Sequence, residues 1–142
     1  MEKRYFEISA QDKEIVITRI RDFLAKLPDL EFAYIHGSFF MADRFRDIDI
    51  AVYLGQSPTS ALQLELTLET ELARIIRNYP IEVRVLNSAP LSFRYNVIKY
   101  GKPLCVVDDD ARTEFEEATF SLYFDFAPYR EMYLKEALGR GI

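Results

Sequence analysis

HGSFFMADRFRDIDIAVYL, residues 36–54, decides how the chain is to be read. Its second half, Asp47 to Leu54, alternates acid or polar with branched apolar residues. Ile48, Ile50, Val52 and Leu54 therefore share one face, and the segment reads as a strand. Residues two apart on a strand point the same way, so Asp47 and Asp49 stand side by side on the other face. Two carboxylates that close repel one another and lose hydration. A divalent cation with oxygen ligands relieves both effects, and Mg²⁺ typically takes a few carboxylates together with substrate phosphates.

Working outward, Glu31 to Ile35 (EFAYI) is a short β-rich run that stops at His36-Gly37. If that run and Asp47–Leu54 are antiparallel neighbours, the Gly37-Ser38 turn lies near Asp47. A glycine there lets backbone N–H groups approach a phosphate, and Ser38 is expected to cap the following turn of helix, whose start favours an anion. Downstream, Ile81 to Leu86 (IEVRVL) is a second alternating strand. It follows Asp47–Leu54 through a helix, so the two strands should run parallel, with their starts at one end of the sheet. Ile81, Val83 and Val85 then face the core, and Glu82 joins Asp47 and Asp49. Three acids and a Gly-Ser turn at one sheet corner suit metal-assisted attack on a nucleotide phosphate.

The flanking segments fill in an α/β (α+β) domain, a small mixed sheet flanked by helices. Gln11 to Leu27 carries Val16, Ile17, Ile20, Phe23, Leu24 and Leu27 at helical spacing, and Pro28 ends it. Ser57 with Pro58 is a sound helix start. Leu62, Leu64, Leu66 and Leu68 alternate like a strand, but the Leu/Glu content and the continuation through Leu72, Ile75, Ile76 and Tyr79 favour a helix ending near Pro80. Leu91 to Tyr100 reads as a helix stopped by Gly101. Leu104 to Val107 reads as a short buried strand. Asp108 or Asp109 caps a last, aromatic-rich helical segment, about 109–138, which Pro128 should interrupt or kink. Gly139 to Ile142 should fray. With 142 residues the chain fits one domain, 1–142, with no internal linker.

The net charge of −5 argues against a dedicated nucleic-acid binder, which would need a basic face. A single cysteine, Cys105, permits no internal disulfide and suits a reducing, cytoplasmic setting. No apolar run approaches the ~20 residues a membrane span needs, and no signal-peptide core is visible. There is no Gly-x-x-x-x-Gly-Lys, which removes a P-loop ATPase.

Several charged groups carry two readings. Arg44 and Arg46 flank the carboxylates and either neutralise triphosphate charge or pair with Asp43 and Glu31. Arg94 and Lys102 are phosphate contacts or plain surface charge. Glu82 is a metal ligand or a partner of Arg84. His36 reads as packed rather than catalytic, and Cys105 as a core thiol. Asp108-Asp109-Asp110 reads as cap and solvation rather than a metal site. The C-terminal aromatics Phe115, Phe120, Tyr123, Phe124, Phe126, Tyr129 and Tyr133 exceed one buried stripe. Most should be core, with the excess forming an interface to a second copy, a homodimer, or to a partner protein.

The set Gly37-Ser38, eight residues, Asp47-x-Asp49 and a later acid resembles the polymerase-β-type nucleotidyltransferase superfamily. By size the chain is similar to its minimal, MntA-like members. IEVRVLNSAPLSFRYNVIKYGKPL and YFDFAPYREMYL add to the likeness. The resemblance implies an antitoxin that uses ATP and Mg²⁺ to transfer AMP to a tyrosine hydroxyl of a HEPN-family toxin. It implies that Gly37, Ser38 and Arg46 hold nucleotide. Asp47 and Asp49 would bind metal, with Glu82 as third carboxylate where the family more often has Asp. His36 stands where the group usually has an aromatic. Two other readings remain beside it. One is a toxin-binding module that acts only by covering its partner; the other is a small-molecule nucleotidyltransferase.

Overall fold

A computed structural model describes residues 4–137, with the side chains of the last helix described up to Phe126 and at Met132. The elements run β1 (Phe6–Glu7), α1 (Ala10–Ala25), β2 (Leu30–His36), α2 (Ser38–Met41), β3 (Arg44–Phe45), β4 (Ile48–Leu54), α3 (Ala61–Ile75), β5 (Ile81–Val85), a 3₁₀ turn at Leu86–Ser88, α4 (Leu91–Tyr100), β6 (Lys102–Val106) and α5 (Asp109–Ala137). The main sheet has the order β5-β4-β2-β6, and β1 pairs with β3 in a separate ribbon. As expected, β2 and β4 are antiparallel and β4 and β5 parallel. The α/β reading therefore holds, with a mixed sheet. The β1–β3 ribbon, two residues a side, is too short to show a pattern in sequence.

Each face of the sheet is covered differently. The α1 stripe Val16, Ile20 and Leu24 and the α3 residues Leu68 and Leu72 pack on Ile35, Ile48, Ile50, Val52, Val83 and Val85. This is the larger core, and the β4 residues in it are those that alternation placed there. On the other face a smaller cluster joins Phe32, Tyr34, Ala51 and Leu86 to Val97 of α4 and Phe115 of α5. Tyr34, almost fully buried, is held there by its hydroxyl on the Glu116 carboxylate, which also takes Arg112.

Both sheet edges are closed by side chains. Glu69 and Glu65, one helical turn apart on α3, accept from the N–H groups of Val83 and Val85 at 2.8 Å each. On the far edge Arg21 of α1 donates to the Leu104 carbonyl at 2.9 Å. Unpaired edge groups invite pairing with other chains, and these contacts occupy them. They also explain why α3 is a helix despite its alternating leucines. Leu68 and Leu72 turn inward, while Leu62 and Leu66 are exposed.

Four expectations change. Ser60, not Ser57, caps α3, accepting from Gln63 N–H at 3.1 Å. Pro58 therefore sits in the turn rather than at the helix start. β6 is an edge strand in which only Leu104 and Cys105 are buried, because it has a strand neighbour on one side alone. Pro128 does not interrupt α5, which runs unbroken across it; one missing N–H removes a single bond from the ladder without ending it. Of the C-terminal aromatics with described side chains, only Phe115 lies in the core. Phe120 and Tyr123 pack on Tyr95 of α4, and Phe124 and Phe126 are 58% and 54% exposed. Tyr129, Tyr133 and the expected fraying of 139–142 fall outside what is described. The Asp108 cap is present, accepting from Ala111 N–H at 3.1 Å.

Candidate metal and nucleotide site

Register builds the site. In β4–β5 pairing Asp49 lies opposite Glu82, and in β2–β4 pairing it lies opposite His36. The Ile48 N–H bonds the Pro80 carbonyl at 2.9 Å, which levels the start of β4 with that of β5. Asp47, just ahead of β4, completes the group. Asp47, Asp49 and Glu82 each bring a carboxylate oxygen to within 4.8 Å of the others. The first two are half-buried and Glu82 is exposed. Among the described residues no other trio of possible metal ligands comes this close.

The Gly-Ser turn joins this group most closely at Asp49. Gly37 has φ +78°, and a Cβ there would stand 2.0 Å from the Asp49 Oδ2. The glycine is thus required twice, for the left-handed backbone and for the approach to the carboxylate. Ser38 does not cap: it is the first residue of α2, with Gly37 in the cap position and no side-chain cap bond. Phe40 and Met41 N–H groups close onto the Gly37 carbonyl. What the turn offers an anion is therefore backbone N–H at its start.

The electrostatics fit a cation. Asp49 is pushed up to about 8, first by burial, then by a hydrogen bond with Asp47 and by the charges of Asp47 and Glu82, with Arg46 opposing. Without a cation this carboxyl keeps its proton near neutral pH. Three oxygens on three converging carboxylates, one of them held protonated by burial and by its acidic neighbours, are a donor set suited to a hard divalent ion. His36 goes the other way. Burial, helped by Arg84 and opposed by Asp47, lowers it to about 4, so it is neutral. Its ring meets Phe93 edge-on at 5.6 Å, which makes it packed, as read from sequence.

The remaining charges sort themselves. Arg44 stands 3.9 Å from Glu7 and over the Tyr5 ring, so its acidic partner is Glu7 rather than Asp43 or Glu31. Arg46 is the arginine whose charge is felt at Asp49. Arg94 is structural, donating to the Ala89 and Asn87 carbonyls at 3.0 and 2.8 Å. Arg84 pairs with Glu65 at 3.7 Å, not with Glu82, and lies 4.6 Å over the Phe93 ring. Lys102 is exposed on β6, and Cys105 is a buried thiol shifted upward by burial. Sequence reasoning missed Phe93 and the place of Arg84. The parity shared by Glu82 and Arg84 was the one signal for the latter.

A mixed sheet with paired carboxylates at the start of one strand, a third on its parallel neighbour and a glycine turn against them defines a nucleotidyltransferase-type site. Residues 18–110, about two thirds of the chain, match the family described as polymerase beta, nucleotidyltransferase. The chain belongs to that family. None of the curated proteins matches its sequence.

Solved structures share the fold. A chain of the tri-AMPylated Shewanella oneidensis HEPN toxin in complex with MNT antitoxin superposes with TM-score 0.72 at 22% identity, over 89% of this chain and 98% of that one. The toxin–antitoxin MntA-HepT gives 0.67 at 22% identity, over 92% and 99%. A toxin–antitoxin complex with AMP-PNP gives 0.67 at 23% identity, over 92% and 99%. Among the described residues no helix is long and apolar enough to cross a membrane.

Proposed function

We propose that the chain is a cytoplasmic Mg²⁺-dependent adenylyltransferase that transfers AMP from ATP to a tyrosine hydroxyl of a HEPN-type toxin and so acts as its antitoxin. The observation that carries the reading is the convergence of Asp47, Asp49 and Glu82 within 4.8 Å beside Gly37. The partner and the transferred group come from the structural neighbours, which include a tri-AMPylated HEPN toxin with an MNT antitoxin and a complex with AMP-PNP.

In this reading Asp47, Asp49 and Glu82 hold the metal, and Gly37 and Ser38 place the phosphates through backbone N–H groups. Arg46 offsets triphosphate charge. Bound Mg²⁺ supplies charge neutralisation at the phosphates. The acceptor oxygen forms a bond to the α-phosphorus while the bond to pyrophosphate breaks, and pyrophosphate leaves with the electron pair. Glu82 takes the hydroxyl proton. The protein does no covalent chemistry; positioning and electrostatics supply the rate.

Purified protein incubated with labelled ATP, Mg²⁺ and a candidate HEPN partner tests this. Transfer to a partner tyrosine is expected, and it should vanish in Asp47→Ala and Asp49→Ala variants that still fold. Near wild-type labelling by either variant would sink the mechanism.

A further inference from the structure

Between the sheet and α4, directly beside the carboxylates, lies a cavity of about 180 Å³ lined by His36, Asp49, Glu82, Arg84 and Phe93. Asp47, Gly37 and Ser38 take no part in its lining. Its walls are two aromatic rings set edge-to-face, Phe93 and His36, with the Arg84 guanidinium on Phe93. It also contains an unmet need. His36 Nε2 is buried with no hydrogen-bond partner, the one such side-chain atom among the described residues. Buried polar atoms are normally satisfied, and an exception points to a missing partner.

We propose that this cavity seats the ring of the acceptor phenol, a tyrosine side chain presented by another protein, with its hydroxyl beside Glu82. The proposal rests on the nucleotidyl-transfer reading above and names the acceptor subsite of that same centre. Three arguments select a phenol.

The first is size. About 180 Å³ holds the equivalent of roughly six waters and falls below the ~300 Å³ at which pockets accept drug-sized ligands. One ring fits, and a whole nucleoside does not. The second is direction. In-line displacement brings the attacking oxygen in opposite the leaving pyrophosphate. With phosphates at Gly37 and Ser38, neither of which lines the cavity, attack comes from the side that Glu82 lines. The third is chemistry. Aromatic rings favour edge-to-face neighbours, and a guanidinium close by stabilises a phenol oxygen as it gives up its proton. In the balanced step the phenol oxygen bonds the α-phosphorus, the bond to pyrophosphate breaks, and the proton passes to the Glu82 carboxylate. Phe93, Arg84 and His36 are positioning residues.

The test uses the full chain with Mg²⁺ and a non-hydrolysable ATP analogue. Binding of N-acetyltyrosinamide is followed by saturation-transfer NMR, with N-acetylserinamide as control, and analogue affinity by calorimetry. Phe93→Trp fills the cavity and Phe93→Ala removes a wall, so one of the two should fold well enough to measure. The phenol is expected to bind the wild type and the serine amide not. Either variant should weaken phenol binding roughly tenfold or more while analogue affinity stays within about twofold. The proposal is overturned if the wild type does not bind the phenol, or if phenol binding survives Phe93→Trp. A parallel loss of analogue affinity also overturns it, since the cavity then holds the base. The two readings fail separately. A protein that binds the phenol as expected but never labels tyrosine keeps the cavity and loses the transfer reaction. One that labels tyrosine while Phe93→Trp still binds phenol keeps the reaction and loses the cavity.

Discussion

The two faces of β4 divide the molecule's work. Ile48, Ile50 and Val52 look into the large core under α1 and α3. Asp49, one residue away, looks toward α4 and stands in a cavity with His36 and Arg84. The first face is apolar and filled; the second is half-buried, charged and incompletely satisfied. Neighbouring residues on one strand therefore serve opposite ends. Stability comes from one parity, and on the proposed reading chemistry comes from the other.

Asp49→Asn and Ile50→Ala break this comparison most directly. Asp49→Asn should lower AMP transfer by roughly a thousandfold or more, about 4 kcal/mol of barrier, without lowering the thermal midpoint. Ile50→Ala should cost about 2–5 kcal/mol of stability through the lost packing and the void. Its residual folded fraction should remain active. Thermal unfolding and turnover measured on both proteins decide it. The division fails if Asp49→Asn destabilises as much as Ile50→Ala.

Gly37→Ala comes next. A Cβ 2.0 Å from Asp49 Oδ2 displaces either the turn or the carboxylate, and the left-handed backbone adds strain of order 1 kcal/mol. Transfer should fall by roughly a hundredfold, more than the modest drop in unfolding midpoint explains. Equal transfer rates for Gly37→Ala and wild type would show that the turn does not position the site.

This turn also shows what was legible in the sequence. Alternation in DIDIAVYL and IEVRVL was enough to place three acids together, because strand parity and a helical crossover leave little freedom. The glycine's contact with Asp49 depends on register, with His36 opposite Asp49, and register is set by the pairing of distant residues. The Phe93 wall depends on how α4 packs across the sheet. No local pattern encodes that. The aromatics of α5 misled for a related reason: composition announces apolar surface but not which of it is covered, and Phe124 and Phe126 are left outside.

A smaller effect is expected behind the site. Glu69 takes the Val83 N–H on the open edge of β5, the strand that carries Glu82. Glu69→Ala leaves that part-buried donor unpaired, a loss of about 1–3 kcal/mol. Urea unfolding should report it. Amide exchange at Val83 should accelerate, while transfer stays nearly intact because Glu69 does not line the carboxylate cavity. Unchanged exchange at Val83 would remove the edge-closing role.

The dependence of metal-free stability on pH is gradual, and it has a definite sign. Folded Asp49 titrates at about 8 against 3.8 in the unfolded chain. The folded form therefore holds the extra proton between those values, and stability falls as pH rises through that window. Folded His36 titrates at about 4 against 6.5, so its contribution is complete above 6.5 and is lost as pH falls toward 4. From 4 to 6.5 the two slopes oppose each other. From about 6.5 to 8 only that of Asp49 remains, so in EDTA the urea midpoint should decline across that interval. Asp49→Asn should flatten the decline by removing the titrating group. Mg²⁺ should flatten it by replacing the proton, since a cation held by ionised carboxylates stabilises the form that high pH favours. A decline that persists in Asp49→Asn would place the titrating group elsewhere. A decline abolished by the substitution but not by Mg²⁺ would leave the carboxylates close together without making them a metal site.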